Sequence, residues 1–85
     1  MHIYGVLSRM KVRPPKYRVQ LGDRIRQRRG ELGVSQERLA EMADCHRNFI
    51  GRIERGEQNP TVDTLIRLAR VLKCPPAELL QNIDV

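Results

Sequence analysis

The chain is predicted to be all-α, with five short helices over residues 19–85 behind a basic arm over residues 1–18. Three observations lead there. From about residue 20 onward, apolar residues recur at three- and four-residue spacing, the period of a helix with one buried face. The periodic runs are separated by residues that start or stop helices: Gly33, Ser35, Gly56, Thr61 and the pair Pro75-Pro76. Nothing in the body alternates apolar and polar with the period of two that a half-buried strand needs.

The first helix is expected from about Gln20. Leu21, Ile25, Arg28 or Arg29, and Leu32 share one face, and Asp23, Arg26, Gln27 and Gly30 share the other. Gly33 ends it, as a C-terminal glycine does. Ser35 suits the N-cap of the second helix, with Glu37 in the first turn, where a negative charge meets the positive helix end. Leu39, Ala40 and Ala43 form its apolar stripe. Asp44-Cys45 is too brief for a loop and reads as a tight turn. A third helix covers residues 47–55 and is closed by Gly56. Residues 57–60 are a loop, and Thr61 caps the fourth helix, with Asp63 near its positive end. Val62, Leu65, Ile66, Leu68, Ala69 and Leu72 give this helix a broad apolar face, so it is expected to be the most buried. Lys73-Cys74 turns the chain, and Pro75-Pro76 starts a short fifth helix through Ala77, Leu79 and Leu80. Ahead of the body, Pro14-Pro15 breaks any helix.

Length and composition bound the rest. The chain has 85 residues, one small domain at most. Its aromatics are Tyr4, Tyr17 and Phe49, so the core is small and aliphatic. Such a core gives modest stability, which favours a second subunit or a bound partner. The net charge is +6, and it is unevenly placed. Residues 1–18 carry Arg9, Lys11, Arg13, Lys16 and Arg18 and no acid, whereas the body is nearly neutral. A basic arm suits a polyanion, either nucleic acid or an anionic membrane surface, and equally a solubilising tail. No run approaches the ~20 apolar residues of a membrane span. The N-terminus lacks the apolar block and cleavage site of a secretory signal. Cys45 and Cys74 lie far apart, and no C-x-x-C or H-x-x-x-H spacing occurs. No metal or cofactor is therefore expected, and two reduced thiols in a cytoplasmic protein fit the pattern.

The informative segment is the second helix, the turn and the third helix taken together. Ser35-Gln36, Ala40, Ala43-Asp44-Cys45, Ile50 and Ile53 have the spacing of a helix-turn-helix. Small residues at 40 and 43 let the two helices approach closely, and Ile50 and Ile53 pin the third helix to the core. On the wheel of that helix, Phe49, Ile50 and Ile53 take one side. Arg47, Asn48, Gly51 and Arg52 take the other, a donor-rich face without an acid. Arginine pairs with the O6/N7 edge of guanine and asparagine with the N6/N7 edge of adenine. Gly51 costs about 1 kcal/mol relative to alanine in a helix. Close approach to nucleic acid would offset that; a tolerated glycine on a solvated face is the alternative.

The run LGDRIRQRRGELGVSQERLAEMA, followed by NFIGRIERGEQNPTVDTLIRLARVLKCPPAELL, resembles the phage-repressor and Cro-type helix-turn-helix family, also called XRE. The resemblance covers roughly residues 20–81. It rests on Ser35-Gln36, Ile53-Glu54-Arg55-Gly56, Asn59-Pro60-Thr61 and the stripe of Leu65, Ala69 and Leu72, which are weak singly and specific together. It implies a lambda-repressor-like domain whose third helix lies in the DNA major groove, with Arg47, Asn48, Gly51 and Arg52 toward the bases. By the same resemblance, Gln36 matches a glutamine that contacts a phosphate from a helix N-terminus. Asn59 and Thr61 match phosphate-contacting positions, although Thr61 suits capping alone as well. Glu54 matches a buried acid paired with an arginine of the first helix, Arg29 ahead of Arg28. The chain departs from the family pattern at Asp44, where glycine is common; aspartate tolerates a left-handed backbone. It departs at His46, where Ser, Thr or Asn usually caps the third helix. Histidine is a weaker cap there, and when charged it can donate to a phosphate. Gly30 is a third departure, a glycine inside a helix.

These readings give a small cytoplasmic DNA-binding transcription regulator, binding an inverted repeat as a homodimer with half-sites about one helical turn (~34–36 Å) apart. Leu79, Leu80, Ile83 and Val85 are the candidate dimer surface, by resemblance to members that pair through the fifth helix and C-terminus. Leu79 suits the core equally. The size resembles restriction-modification controller proteins and small phage or plasmid repressors, with no room expected for a sensor or enzyme domain. The alternative function is an antitoxin that neutralises a toxin protein and autoregulates its operon. An enzyme is not expected, because His2 and His46 have no matched acid or nucleophile nearby in sequence. A membrane-surface peptide is a remaining rival. Three roles fit the arm: DNA phosphate or minor-groove contact, a strand paired with a second subunit (residues 10–13 alternate), or a leader with no role.

Overall fold

The computed structural model describes residues 13–85. The expectations for Arg9, Lys11 and the alternation starting at Met10 lie outside the described residues. Five helices follow in order: α1 (Lys16–Leu32), α2 (Gln36–Met42), α3 (Arg47–Glu54), α4 (Val62–Val71) and α5 (Pro76–Leu80). No strand occurs among the described residues.

Helix α1 begins one turn before the expected start at Gln20, directly after the proline pair. Pro15 is its N-cap, and the Pro15 carbonyl accepts from the N–H groups of Arg18 (3.0 Å) and Val19 (3.2 Å). A proline's fixed φ favours such a start. Tyr17 and Val19 in this turn are largely exposed, so the turn adds nothing to the apolar period that marks the rest of the helix. The other boundaries follow their local chemistry. Gly33 ends α1 at φ 69°. Ser35 caps α2 by accepting from the Arg38 N–H at 3.0 Å, and Thr61 caps α4 by accepting from the Thr64 N–H at 3.1 Å. Asp44 takes the left-handed conformation (φ 56°) between α2 and α3, as Lys73 does (φ 58°) before α5.

Helices α2 and α3 pack on each other, α1 lies against α3 and α5, and α4 closes the core against α2 and α5. The core is Leu21 and Ile25 of α1, Leu39 and Ala40 of α2 with the adjoining Ala43, Ile50 and Ile53 of α3, Leu65, Leu68 and Ala69 of α4 with the adjoining Leu72, and Leu79 of α5. Phe49 packs on its edge. Two expectations are corrected here. Helix α4 is not the most buried, because Val62 and Ile66 face solvent and only one stripe of the helix meets the core; α3 buries a larger share of its residues. Leu79 is 2% exposed, so it is core and cannot form a dimer surface.

Arginines fasten the helix ends. The C-terminal carbonyls of a helix lack intrahelical partners and carry partial negative charge, which a guanidinium satisfies. Arg67 donates to the Ala43 carbonyl after α2 (3.0 Å), Arg28 to those of Leu72 (2.9 Å) and Lys73 (3.1 Å) after α4, and Arg24 to that of Leu79 in α5 (3.3 Å).

Gly30 sits exposed within α1, and a Cβ added there would meet nothing within 4 Å. Gly30→Ala is therefore expected to raise stability by about 0.5–1 kcal/mol, read as a higher urea midpoint at unchanged slope. A fall in the midpoint would contradict this account of the helix.

Candidate nucleic-acid interface

The turn between α2 and α3 sets the crossing of the two helices. Ala43 closes α2, Asp44 reverses the chain, and the Cys45 N–H returns to the Ala40 carbonyl at 2.9 Å. Cys45 is half-buried against the core, and burial pushes its thiol pKa up, with the Arg67 charge opposing. Burial raises Cys74 as well. In both, burial disfavours the thiolate, the nucleophilic form.

Helix α3 is capped by His46, whose Nδ1 accepts the Asn48 N–H at 3.1 Å. A neutral imidazole accepting at Nδ1 carries its proton on Nε2, which remains a donor. Ile50 and Ile53 are fully buried beneath α3, and Arg47, Asn48 and Arg52 are exposed on the other side. Gly51 is on that outer side too, yet it is covered. Gln36, Arg47, Asn48, Gly51, Arg52 and Arg55 line one shallow polar depression. The fold thus gathers Gln36 of α2 with all four expected base-contacting residues. His46, Asn59 and Thr61 do not line it. Asn59 is exposed in the loop before α4. Thr61 has a capping role, its hydroxyl also donating to the Thr64 Oγ1 at 3.1 Å.

Beneath the depression lies a buried ion pair. Glu54, its side chain 2% exposed, accepts from Arg29 Nε at 2.6 Å and Nη2 at 3.0 Å. The two-point geometry is that of a charge-assisted fork. The hydrogen bond to Glu54 raises the Arg29 pKa against the opposing effect of burial. Arg29 Nη1 also donates to the Val34 carbonyl at 3.0 Å, tying in the α1–α2 connection. Arg28 takes no part, being engaged at the end of α4. Gln36 Nε2 donates to Glu54 Oε1 at 3.0 Å, so the carboxylate at the end of α3 holds the first side chain of α2.

Three features were missed from sequence. Glu37 puts an acid beside the supposedly acid-free face, its Oε2 3.4 Å from Arg47 Nη1. Both groups are well exposed, so the pair contributes roughly 0–1 kcal/mol. Arg55 lines the depression from just beyond the end of α3. Gly22 of α1 lies against the backbone at the end of α3: a Cβ there would meet the Ile53 carbonyl oxygen and stand 2.6 Å from that of Glu54. Spacing i, i+4 from Gly51 could have flagged Arg55; the other two are contacts between elements and leave no local pattern.

The model of a helix-turn-helix family matches residues 25–79. The control protein C.SmaI of Serratia marcescens is 43% identical over 60 residues, covering 71% of each chain. In structure, the chain is similar to the restriction-modification controller protein C.AhdI of Aeromonas hydrophila (TM-score 0.70, 38% identity, 72% of this chain and 92% of that one). It is equally similar to the P22 c2 repressor solved in complex with a synthetic operator (TM-score 0.69, 36% identity, 72% and 92%). Among the described residues, no helix is long and apolar enough to cross a membrane.

Proposed function

The chain belongs to this helix-turn-helix family of DNA-binding transcription regulators, and we propose that it acts as a homodimer reading an inverted-repeat operator through α3. One observation supports this above the others. The exposed side of α3 presents Arg47, Asn48 and Arg52 together, while its opposite side is locked into the core by Ile50 and Ile53. A helix so fixed can enter the major groove as a rigid reader. Arg47 and Arg52 suit guanine edges and Asn48 an adenine edge. Gln36, the His46 Nε2–H and Asn59 are assigned to phosphates, with Thr61 beside Asn59 holding the end of that loop. Leu80 and Val85, both exposed, and the half-buried Ile83 are assigned to the dimer contact. The protein's site of action is taken to be the cytoplasm. Relatives that are controllers and repressors favour the regulator over an antitoxin.

Selection of bound sites from random duplex DNA, with sizing of the complex, tests the reading. Two half-sites about one helical turn apart, bound by two chains, are expected. If no site is enriched, the operator reading fails. On an enriched site, Arg47→Ala is expected to cost about 1–3 kcal/mol and to relax preference at one base position; an equal loss on every sequence would assign Arg47 to a phosphate instead.

A further inference from the structure

Gly51 poses a question that the assigned contacts do not answer. It is inside α3, where glycine is less stable than alanine. It lies on the outward side of the helix, yet it is buried. Two side chains cover it: a Cβ added at 51 would stand 3.2 Å from Arg55 Nη1 and 3.8 Å from Gln36 Oε1. Helical side chains lean toward the N-terminus, so a residue four positions on lies over its predecessor. Arg55 accordingly folds back along α3 over Gly51. Its Nε is held by Glu57 Oε2 at 3.1 Å, while its Nη1 and Nη2 donate to nothing among the described residues. Those free donors open into the depression lined by Arg47, Asn48 and Arg52.

We propose that Arg55 is a further DNA-contacting side chain of this surface, laid across α3 because position 51 has no side chain. The proposal rests on the major-groove reading of α3 given above. Its guanidinium would donate to DNA oxygens or ring nitrogens, at a guanine edge or at a phosphate. Gly51 then serves the passage of Arg55 more than the approach of the DNA itself.

A double-mutant cycle on the full chain tests this, using a duplex enriched by the wild-type protein and a random duplex of equal length. Arg55→Gln is expected to weaken binding to the enriched duplex about tenfold, within the range of a lost arginine contact. Gly51→Ala is expected to melt no lower than wild type, yet to bind several-fold more weakly. In the Arg55→Gln background, Gly51→Ala should change affinity less than twofold, because the side chain it displaces is already gone. A loss concentrated at one base position assigns Arg55 to a base edge; a loss shared by both duplexes, with a flatter salt dependence, assigns it to a phosphate. Binding by Arg55→Gln within twofold of wild type overturns the proposal and leaves the α3 reading standing. So does an equal effect of Gly51→Ala in both backgrounds, which would mean that DNA packs on Gly51 directly. If the wild-type chain enriches no duplex, the reading of α3 and this proposal fall together.

Discussion

Glu54→Ala is expected to destabilise the protein by about 3–5 kcal/mol, the cost of breaking a buried ion pair from one side. Small domains have roughly 5–15 kcal/mol in total, and one with so short an aliphatic core stands at the lower end, so the variant should be substantially unfolded when warmed. The reason is the neighbourhood the carboxylate serves. With its side chain 2% exposed, Glu54 satisfies two nitrogens of Arg29, itself only 18% exposed, and the amide of Gln36. Alanine leaves a buried guanidinium without its anion and an amide without its acceptor. Urea unfolding followed by circular dichroism measures the loss; a change below about 1 kcal/mol would mean that water replaces the carboxylate freely. The double change Arg29→Met with Glu54→Leu separates charge loss from packing. It is expected to recover most of the stability, because an apolar pair of similar volume avoids the unpaired charge. It should not recover full DNA affinity, since Gln36 then has no carboxylate to hold it.

That pair also marks a boundary in what the sequence alone reveals. Caps and turns are local, so Ser35, Thr61, Gly33 and the tight turn at Asp44 could be read residue by residue, with the left-handed backbone at Asp44 implied by the family resemblance, and the structure has each of them in that role. The apolar period located the helices for the same reason. It failed where a residue's exposure depends on what lies opposite. Val62 and Ile66 belong to the apolar face by spacing, but no element among the described residues covers them. The arginines' roles are set by tertiary contacts. Arg24, Arg28 and Arg67 reach carbonyls 24 to 55 residues away in sequence, contacts for which spacing within a helix contains no information. Their engagement sharpens the charge argument. With Arg29 they are committed to holding helix ends and the buried pair together, which leaves Arg47, Arg52 and Arg55 as the arginines that line the depression. The pairing of Arg29 with Glu54 could be anticipated only through the family resemblance, because the two stand 25 positions apart and no spacing within one helix links them.

No local pattern marks Gly22, and the second large effect is expected there: Gly22→Ala should cost at least about 3 kcal/mol, at or beyond the upper end of ordinary overpacking. Taken by itself the substitution is favourable, since alanine is about 1 kcal/mol better than glycine in a helix interior. The context reverses the sign. At Gly22, α1 crosses the last turn of α3, and an added methyl would overlap the carbonyl oxygens of Ile53 and Glu54. Those are backbone atoms of a helix whose neighbouring side chains, Ile50, Ile53 and Glu54, are all buried, so they cannot step aside as a flexible side chain could. Relief requires α1 to lift away from α3. That would stretch the Arg29–Glu54 pair about two helical turns further along α1, and with it the hold on Gln36. The expected result is a lower urea midpoint together with weaker DNA binding in the fraction that stays folded. The contrast with Gly30, in the same helix, isolates the cause. Alanine at 30 meets open space and should stabilise, whereas alanine at 22 meets backbone and should destabilise, with identical helix propensity at both. If the two variants shifted stability in the same direction, close approach of α1 and α3 would not be what Gly22 provides.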